Sequence, residues 1–480
     1  MFGAFKYGER DIRRVRAAPR GSAKSTLAAL IKPIHDVCYG LEKFILVLSS
    51  TTPLANKKLK DIRSEIMSNN FLRIVFGVRF PIKKVGTSEF TALSNCGRTH
   101  FMALGRGSEV RGVRDGESRP TKVIADDVEH SDDVYNEETR AKIESWYAED
   151  IGKVGDTGTN IEFVGTILHK DSLLSKLTKN PAYESRVYRS ILSWSERQDL
   201  WDKWSEIYRN LDNPKRVEDS TEFYNKHMDE MTKGTDVLWP EKEDYLAHMK
   251  DLEEIGMRAF MKEKQNDPQG SDELVFNKFH WYREEVEGLR IESNKQLVKW
   301  DELHSIAALD PSTGQAKNKN KGDWSVISSG YKDLKGRVFV HYDWTRRASP
   351  SAYISEIFTL HEKYKYEKFA VETNLYRNLL LPNIMDEKKR REAISRNAIR
   401  IPFYDVEQTE NKRERIYRLE PKVNHGYILF NRALSKEYMR MIEDFPKATH
   451  DDAPDSLEIL WNLANNRYKP SALSINAQLV

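Results

Sequence analysis

The chain has 480 residues, of which 39% are hydrophobic and 31% are charged, as expected for a globular protein of two or three domains. Its 77 basic and 74 acidic residues nearly cancel, so net charge predicts no nucleic-acid binding and only local basic clusters could provide it. No apolar run is long enough to cross a bilayer, and the first residues lack the pattern of a secretory signal. The two cysteines, Cys38 and Cys96, exclude a disulfide framework and a cysteine zinc site, and we expect a reducing, cytosolic setting.

Short apolar segments predict a parallel α/β sheet in the first 170 residues. Residues 44–51, 122–127 and 160–168 have the composition of buried strands, and helical patterns separate them. Residues 170–265 are rich in Trp, Tyr, Lys and Glu and predict a mostly helical region. A break in the fold is predicted at 265–273, where Pro, Gly, Asn and Asp are typical of a linker.

A second α/β pattern occupies the C-terminal part of the chain. Residues 303–310 and 323–344 predict consecutive strands, with a turn inside the second stretch and a polar, basic loop between the two at 314–323. A further strand is predicted to end at Glu372, and a helix is predicted to begin near Pro454.

The segment APRGSAKST, residues 18–26, has features of a phosphate-binding loop. In the usual pattern GxxxxGK[ST], Lys24 and Ser25 are in place, but Ala18 and Ala23 replace the glycines and Gly21 lies inside the loop. We expect the loop to tolerate alanine because a small residue suffices there without positive φ. Such a loop turns backbone N–H groups toward phosphates, with the lysine on the β/γ-phosphates and the hydroxyl on magnesium. The alternative is a Pro-Arg-Gly turn before an ordinary helix.

The predicted strand at 122–127 ends in two carboxylates. A P-loop enzyme needs such a strand to end in an acid that holds Mg²⁺, followed by an acid that orients the attacking water. Asp126 and Asp127 occur in that order, and Glu129 could share the second role. The next predicted strand ends at Gly165 and Thr166, where a hydroxyl could sense the γ-phosphate. The alternative for 126–129 is an acidic, solvated turn.

The C-terminal half offers a second set of carboxylates. Asp310 and Glu372 each end a predicted strand, and Asp452 and Asp455 are three residues apart, so they face the same way at the start of a helix. Two-metal hydrolysis of a phosphodiester needs carboxylates that converge in this way from distant parts of the chain. Each residue also has an ordinary interpretation, since Asp is common in turns, at helix N-caps and in first helical turns.

The ordered set of segments resembles the large terminase subunit of tailed double-stranded DNA bacteriophages, over nearly the whole chain. The segments that carry the resemblance are 19–26, 110–129, 164–174 and 239–268. The resemblance implies an α/β protein with an N-terminal P-loop (ASCE-type) ATPase core at 1–170, a helical lid or linker subdomain at 171–268 and a C-terminal RNase H-like nuclease domain at 269–480.

The implied function is that of a DNA-packaging motor. The family uses ATP to translocate double-stranded DNA into a procapsid and cleaves concatemeric DNA with two Mg²⁺ or Mn²⁺ ions. The resemblance further implies a portal protein and a small terminase subunit as partners, a homo-oligomeric ring, no membrane, and a location at the procapsid portal in the host cytoplasm, outside the mature virion.

The resemblance also implies roles for individual residues. For ATP binding these are Arg20, Gly21, Ser22, Ala23, Lys24, Ser25, Thr26, Asp126 and Thr166, with Ser25 and Asp126 on the metal. For ATP hydrolysis they are Asp127 or Glu129, with Arg20 reaching the γ-phosphate and Arg111 or Arg119 supplied to a neighbouring subunit. For the nuclease they are Asp310, Glu372 and Asp455, then Asp452 and Asp451, with Asp323 and His450 as outer candidates.

Only about seventeen residues precede the phosphate loop, fewer than the resemblance implies, and arginines at 13, 14 and 16 make residues 11–18 an unfavourable buried strand. We therefore expect a shortened N-terminal part with weakened adenine recognition and ATP turnover. The basic segments 387–400 and 410–418 could hold DNA phosphates or could be solvated helix faces. Two other functions stay open: a helicase- or recombination-type ATPase-nuclease, and a degenerate prophage protein that binds DNA and portal without turnover.

Overall fold

A computed structural model describes residues 10–81, 86–110, 112–268, 274–311, 324–372, 377–408 and 410–470. The chain divides into two compact units, and each is described by itself below. Unit 1 comprises residues 1–200, 227–252 and 257–270, and unit 2 comprises residues 201–226, 253–256 and 271–480. The segment 171–268 contributes to both units, and the three-part division predicted from the sequence stays a prediction. Within the described ranges, no helix has the length and apolarity that a membrane span requires.

Unit 1 is built on a seven-stranded sheet with the order β3-β4-β2-β5-β6-β1-β7, in which all strands are parallel except β3. The strands up to residue 237, including a separate β8-β9 pair, are β1 (Arg13–Ala17), β2 (Phe44–Ser49), β3 (Glu89–Ser94), β4 (Gly97–Gly105), β5 (Lys122–Asp126), β6 (Asn160–Gly165), β7 (Glu184–Val187), β8 (Ile191–Ser193) and β9 (Asp236–Val237).

Helices cover both faces of this sheet. Between residues 24 and 263 the chain forms α1 (Lys24–Thr26), a π-helical turn (Leu27–Ile31), α2 (Lys32–Tyr39), α3 (Thr52–Ser68), α4 (Asn70–Phe76), α5 (Ser131–Val134), α6 (Glu137–Glu149), a 3₁₀ turn (Ile151–Lys153), α7 (Leu173–Thr178), α8 (Gln198–Arg209), α9 (Arg216–Met231), α10 (Tyr245–Ile255) and α11 (Met257–Glu263), and most of α8 and α9 belongs to unit 2. Alternate residues of β2 pack into different clusters, Leu46 and Leu48 on one side and Ile45 and Val47 on the other. A strand with helices on both faces is apolar throughout, which is why the sequence of β2 predicts it so clearly.

The first strand corrects the sequence-based expectation. β1 lies inside the sheet between β6 and β7, and its Val15 and Ala17 are fully buried. The arginines are accommodated because Glu184 of β7 pairs with both Arg14, at 2.9 Å, and Arg16, at 2.7 Å. The prediction that residues 11–18 are a poor buried strand was therefore wrong.

Unit 2 contains a ten-stranded sheet with the order β12-β11-β10-β18-β15-β14-β13-β16-β17-β19. The strands are β10 (Trp281–Glu285), β11 (Gly288–Ile291), β12 (Leu297–Lys299), β13 (Leu303–Asp310), β14 (Ser325–Asp333), β15 (Val338–Arg346), β16 (Lys368–Glu372), β17 (Phe403–Val406), β18 (Ile428–Asn431) and β19 (Lys469–Pro470). The strands β13, β14 and β15 are antiparallel, and β16 and β17 continue the sheet parallel to β13, which is the RNase H-like arrangement.

The last helix of unit 2 packs on this sheet, and among the described residues six further helical segments precede it beyond residue 300. Together they are a 3₁₀ turn (Trp300–Glu302), α12 (Pro350–Tyr364), α13 (Arg377–Ser395), α14 (Lys412–Tyr417), α15 (Glu420–Asn424), α16 (Lys436–Glu443) and α17 (Asp452–Ala464). The hydroxyl of Ser456 on α17 donates to the carbonyls of Ala308 on β13 and Val326 on β14, both at 3.3 Å. The predicted helix thus begins at Asp452, with Asp451 as its N-cap, slightly before the expected Pro454. The predicted loop 314–323 lies outside the described residues.

Candidate functional site

The phosphate loop, residues 18–23, connects the end of β1 to the start of α1. Its first backbone amide, that of Ala18, donates to the carbonyl of Gly165 at 2.9 Å, which fixes the loop to the end of β6. Gly21 and Ala23 have φ of +83° and +60°. The expectation that alanine at 23 needs no positive φ was wrong: Ala23 takes the left-handed conformation that glycine adopts easily, at a cost of about 1–2 kcal/mol. The backbone at position 23 therefore has the conformation of the usual loop, although alanine replaces the glycine there.

The hydroxyl of Ser25 and the carboxylate of Asp126 meet at the end of β5. Ser25 Oγ donates to Asp126 Oδ1 at 3.0 Å, and Lys24 is buried in the same turn of α1. Asp126 is fully buried, and burial raises its pKa against the opposing effect of the Lys58 ammonium. A hydroxyl beside a carboxylate at the start of a P-loop helix is the oxygen donor set that suits a nucleotide-bound Mg²⁺ ion.

Lys58 is a residue of this site that the sequence analysis missed. It projects from α3, and its Nζ forms an ion pair with Asp126 Oδ2 and donates to the Asp126 carbonyl at 2.9 Å. No motif marks it, since α3 also carries the exposed Lys57 and Lys60 and the sequence does not distinguish the three.

The two candidates for the water-orienting acid have different environments. Asp127 is exposed, has φ of +50°, and its Oδ1 lies 3.5 Å from where a Cβ on Gly165 would be. Both oxygens of Glu129, by contrast, accept backbone hydrogen bonds at the start of α7, from Leu173 at 2.7 Å and Leu174 at 2.9 Å. Burial raises the pKa of Glu129. The geometry therefore favours Asp127 and gives Glu129 a structural role as a helix cap.

The remaining predicted residues of the first site lie as follows. Thr166 Oγ1 donates to the carbonyl of Ala18 at 3.1 Å, which adds a second bond between β6 and the phosphate loop. Arg20 is largely exposed and its Nε lies 3.1 Å from Glu263 Oε2, so it points toward α11 in this structure. Arg119 donates to the carbonyl of Gly155 at 3.4 Å, and Arg111 lies outside the described residues.

In unit 2 the structure brings the three main carboxylates together. Asp310 ends β13, Glu372 ends the neighbouring parallel strand β16, and Asp455 lies in the first turn of α17. One carboxylate oxygen from each lies within 4.8 Å of the others. We call these three residues the carboxylate centre. Burial, then the nearby Asp455, raises the pKa of Asp310 well above its usual range and also raises that of Glu372.

Two basic side chains from α14 contact the carboxylate centre. Lys412 Nζ lies 3.3 Å from Asp455 Oδ2 and 2.9 Å from Asp451 Oδ1. Burial opposes its charge, but the surrounding carboxylates, Asp310 first, hold the pKa of Lys412 above its usual range. Arg415 is buried, with Nη1 2.8 Å from Asp455 Oδ1 and 2.7 Å from Glu458 Oε2. The sequence left this basic segment open between DNA phosphate contacts and a solvated helix face, whereas these two side chains point toward the acids.

The carboxylate centre fits divalent metal ions. Asp310 Oδ2 is buried and has no hydrogen-bond partner among the described residues, and three carboxylates this close repel one another unless cations intervene. Hard oxygen ligands select Mg²⁺ or Mn²⁺ over softer metals. The outer candidates are less defined: His450 Nδ1 lies 3.8 Å from Asp452 Oδ2, and Asp323 is outside the described part of the chain.

Several arginines of the basic segments 387–400 and 410–418 are neutralised locally. Arg390 and Arg391 both form ion pairs with Glu387 within α13, and Arg418 pairs with Glu410 at 2.6 Å. The surface charge available for a DNA backbone in these segments is therefore smaller than the sequence indicates.

Comparison with known proteins gives the fold. No protein-family model matches the chain, and no curated protein matches it. Similar solved structures include the large terminase from a thermophilic bacteriophage, with a TM-score of 0.50 and 9% identity over 96% of this chain and 95% of that chain.

Two further matches have TM-scores below 0.5. The same thermophilic phage protein in complex with ADP gives 0.48 and 10% identity over 95% and 94% of the two chains. The large terminase nuclease from thermophilic phage G20c with bound cobalt gives 0.26 and 15% identity over 39% and 96%. The fold comparison rests on the full-length terminase with the TM-score of 0.50. It confirms the predicted α/β architecture: this chain has the fold of a bacteriophage large terminase over nearly its whole length.

Proposed function

We propose that this chain is a viral DNA-packaging motor subunit, which hydrolyses ATP to move double-stranded DNA into a procapsid and cleaves concatemeric DNA. The observation that carries the proposal is that one chain with a terminase fold has both a phosphate loop facing a buried acid and a separate carboxylate centre. A single-activity protein needs only one of these sites.

In the proposed ATPase, each part of unit 1 has a distinct task. The phosphate loop would hold the β- and γ-phosphates with its backbone amides and Lys24, and Ser25 and Asp126 would hold Mg²⁺. Asp127, exposed beside Gly165, would orient the attacking water. Thr166 is tied to the loop through the Ala18 carbonyl, so a change at the phosphates would be transmitted to the end of β6. Arg20 would have to leave Glu263 to reach a γ-phosphate.

In the proposed nuclease, Asp310, Glu372 and Asp455 would hold two Mg²⁺ or Mn²⁺ ions, with Asp452 at the edge of the site. When bound, such ions activate a water nucleophile and stabilise the leaving oxygen of a phosphodiester. The buried Arg415 would keep Asp455 oriented, because its guanidinium is shared between Asp455 and Glu458.

The proposed function also defines partners and a location. We propose double-stranded DNA, a portal protein and a small terminase subunit as partners, and a homo-oligomeric ring at the procapsid portal in the host cytoplasm. In a ring, Arg119 or Arg111 would serve as the arginine supplied to a neighbouring subunit.

The test uses the purified full-length chain and two activities. DNA-stimulated ATP hydrolysis is expected for the wild type and is expected to be lost in Lys24→Ala, with Lys60→Ala, an exposed lysine of α3, as the control. Plasmid nicking in Mn²⁺ is expected for the wild type and is expected to be lost in Asp310→Ala, while Asp301→Ala, an exposed acid just before β13, retains it.

The outcomes separate the competing functions. Nicking that persists in Asp310→Ala would exclude the proposed carboxylate centre, and ATP turnover unchanged in Lys24→Ala would exclude the phosphate loop. No turnover in either assay would favour a binding protein without catalysis. Strand separation by the active enzyme would favour a helicase-type ATPase-nuclease.

A further inference from the structure

One ammonium group lies among four carboxylates at the edge of the carboxylate centre. Lys412 Nζ is 2.9 Å from Asp451 Oδ1, 3.3 Å from Asp455 Oδ2, 3.7 Å from Asp310 Oδ2 and 3.8 Å from Asp452 Oδ1. Two of these four acids, Asp310 and Asp455, belong to the centre itself. A position surrounded by carboxylate oxygens at such distances is one that a cation occupies.

We propose that Lys412 is an internal counter-cation of the carboxylate centre, and that a divalent ion must displace its ammonium group to bind there. The inference rests on the proposed nuclease only for the nature of the ion. Beyond that proposal, it assigns Lys412 the role of setting the metal concentration at which the carboxylate centre fills.

The two basic residues of α14 differ in their freedom to move. The Arg415 side chain is only 6% exposed and is shared between Asp455 and Glu458, so it is fixed. The Lys412 side chain is 35% exposed and lies in the first turn of α14, whose start is held separately by the Asn411 side chain accepting from the amides of Arg413 and Glu414. The flexible lysine stem can therefore swing toward solvent without unfolding the helix.

The electrostatic consequence follows from the distances. A metal ion bound to Asp310 and Asp455 would lie within a few ångströms of the present Nζ position, and two positive charges so close repel strongly in a partly buried site. The ion must therefore replace the ammonium. The affinity of the centre for the metal ion is lowered by the free energy of the ion pairs that Lys412 loses. At low metal concentration the Lys412 ammonium compensates part of the negative charge of the carboxylates, so the metal-free centre does not carry its full charge uncompensated.

The test measures Mn²⁺ affinity directly, by electron paramagnetic resonance of free Mn²⁺ with the full-length protein in the absence of DNA. Lys412→Met removes the charge and keeps an apolar stem, and we expect it to bind Mn²⁺ at least about tenfold more tightly than the wild type. Arg418→Met, which removes an exposed cation paired with Glu410 on the same segment, is the matched control and is expected to leave the affinity unchanged.

Asp310→Ala separates failure of this inference from failure of the proposed function. If Mn²⁺ binding in the wild type is the same as in Asp310→Ala, the carboxylate centre holds no metal and the proposed nuclease fails. If Asp310→Ala loses binding but Lys412→Met binds as weakly as the wild type, or more weakly, then Lys412 is not a competing cation and the inference is overturned.

A second measurement on the wild type covers the case in which Lys412→Met does not fold. Acetylation of lysines is followed by mass spectrometry with and without Mn²⁺. We expect Lys412 to become more reactive when Mn²⁺ is added, because the displaced ammonium enters solvent, while the exposed Lys436 of α16 does not change. Reactivity of Lys412 that is unchanged or lowered by Mn²⁺ would contradict displacement.

Discussion

The two candidate sites differ in what the protein uses to build them. In unit 1, backbone conformation forms most of the site: the phosphate loop has two residues with positive φ and is tied by hydrogen bonds to the end of β6, and one buried acid, Asp126, completes it. In unit 2, side chains form the site, since three carboxylates from two strands and one helix converge within 4.8 Å. A backbone site tolerates changes of residue type that a side-chain site does not.

The sites also neutralise their acids differently. Asp126 has one nearby lysine, Lys58, and one hydroxyl. The carboxylate centre is flanked by Lys412, which is partly exposed, and by Arg415, which is buried. The comparison predicts that replacing a single acid, either Asp126 or a member of the carboxylate centre, strongly lowers the activity of that site. Substitutions in the phosphate loop of unit 1 are expected to have mild effects.

The largest expected effect distinguishes the two acids that follow Asp126. Asp127→Asn should lower ATP turnover about 10²–10⁴-fold, the usual contribution of a positioned acid or base, whereas Glu129→Gln should retain turnover and lower stability by about 1 kcal/mol as a weakened helix cap. Steady-state ATPase kinetics and thermal unfolding of both variants check this. Loss of turnover in Glu129→Gln with native stability would reverse the assignment.

The second effect concerns the buried cation of unit 2. Arg415→Met removes the buried cation that Asp455 and Glu458 share, and we expect a loss of about 3–5 kcal/mol in the free energy of unfolding. Denaturant unfolding of the full chain measures it, with Arg418→Met as the exposed control. A change below about 1 kcal/mol, as for a surface pair, would show that Arg415 does not hold the centre together.

A smaller effect depends on pH and on a residue away from both sites. His341 lies at a bulge in β15, buried between Tyr331 and Tyr364, and burial lowers its pKa from 6.5 to about 3. The unfolded chain therefore takes up a proton below pH 6.5 that the folded chain does not, so stability is present above pH 6.5 and is lost as pH falls toward 3.

The expected size of this loss is about 1.4 kcal/mol per pH unit, or roughly 2 kcal/mol between about pH 6.5 and pH 5. His341→Phe should remove that slope, so its stability relative to the wild type should improve as pH falls. Urea unfolding at about pH 7 and about pH 5 measures the difference, with the exposed His304→Gln as control. An unchanged pH slope in His341→Phe would contradict the burial argument.

The smallest effect tests the tolerance of the phosphate loop. Ala23→Gly relieves a left-handed alanine, and the gain is partly offset by the greater freedom of glycine in the unfolded chain, so we expect stabilisation of up to about 1 kcal/mol with ATP turnover retained. Thermal unfolding and ATPase assays check it. A destabilised variant would show that Ala23 contributes contacts beyond its backbone conformation.

The sequence predicted most completely what depends on local patterns. Asp310 and Glu372 each follow an apolar run, and Asp455 follows a helix-start signal, so strand ends and a helix start could be inferred before the structure. The fold class and the parallel strands ending at Asp126 and Gly165 were confirmed for the same reason.

What the sequence could not predict depends on partners distant in the chain. β1 was misjudged because the acid that neutralises its arginines, Glu184, lies 168 residues beyond Arg16. Lys58 was missed because a lysine on an amphipathic helix has the same local pattern whether it faces solvent or Asp126. The segment that contains Lys412 and Arg415 was left open between DNA contacts and a solvated helix face, because the charge of a segment does not reveal which way each side chain points.

The central position of β1 has a consequence for synthesis on the ribosome. Residues 13–17 pair with residues 161–165 and 184–187, so these five residues have no strand to join until the chain has grown past Gly165, and their second neighbour follows only after Val187. At about 5–20 residues per second, the wait for the first of these strands lasts roughly 7–30 seconds. Three arginines among the five residues keep this waiting strand soluble and repel other nascent chains, so the charges that look unfavourable in the finished sheet protect it while it is being made.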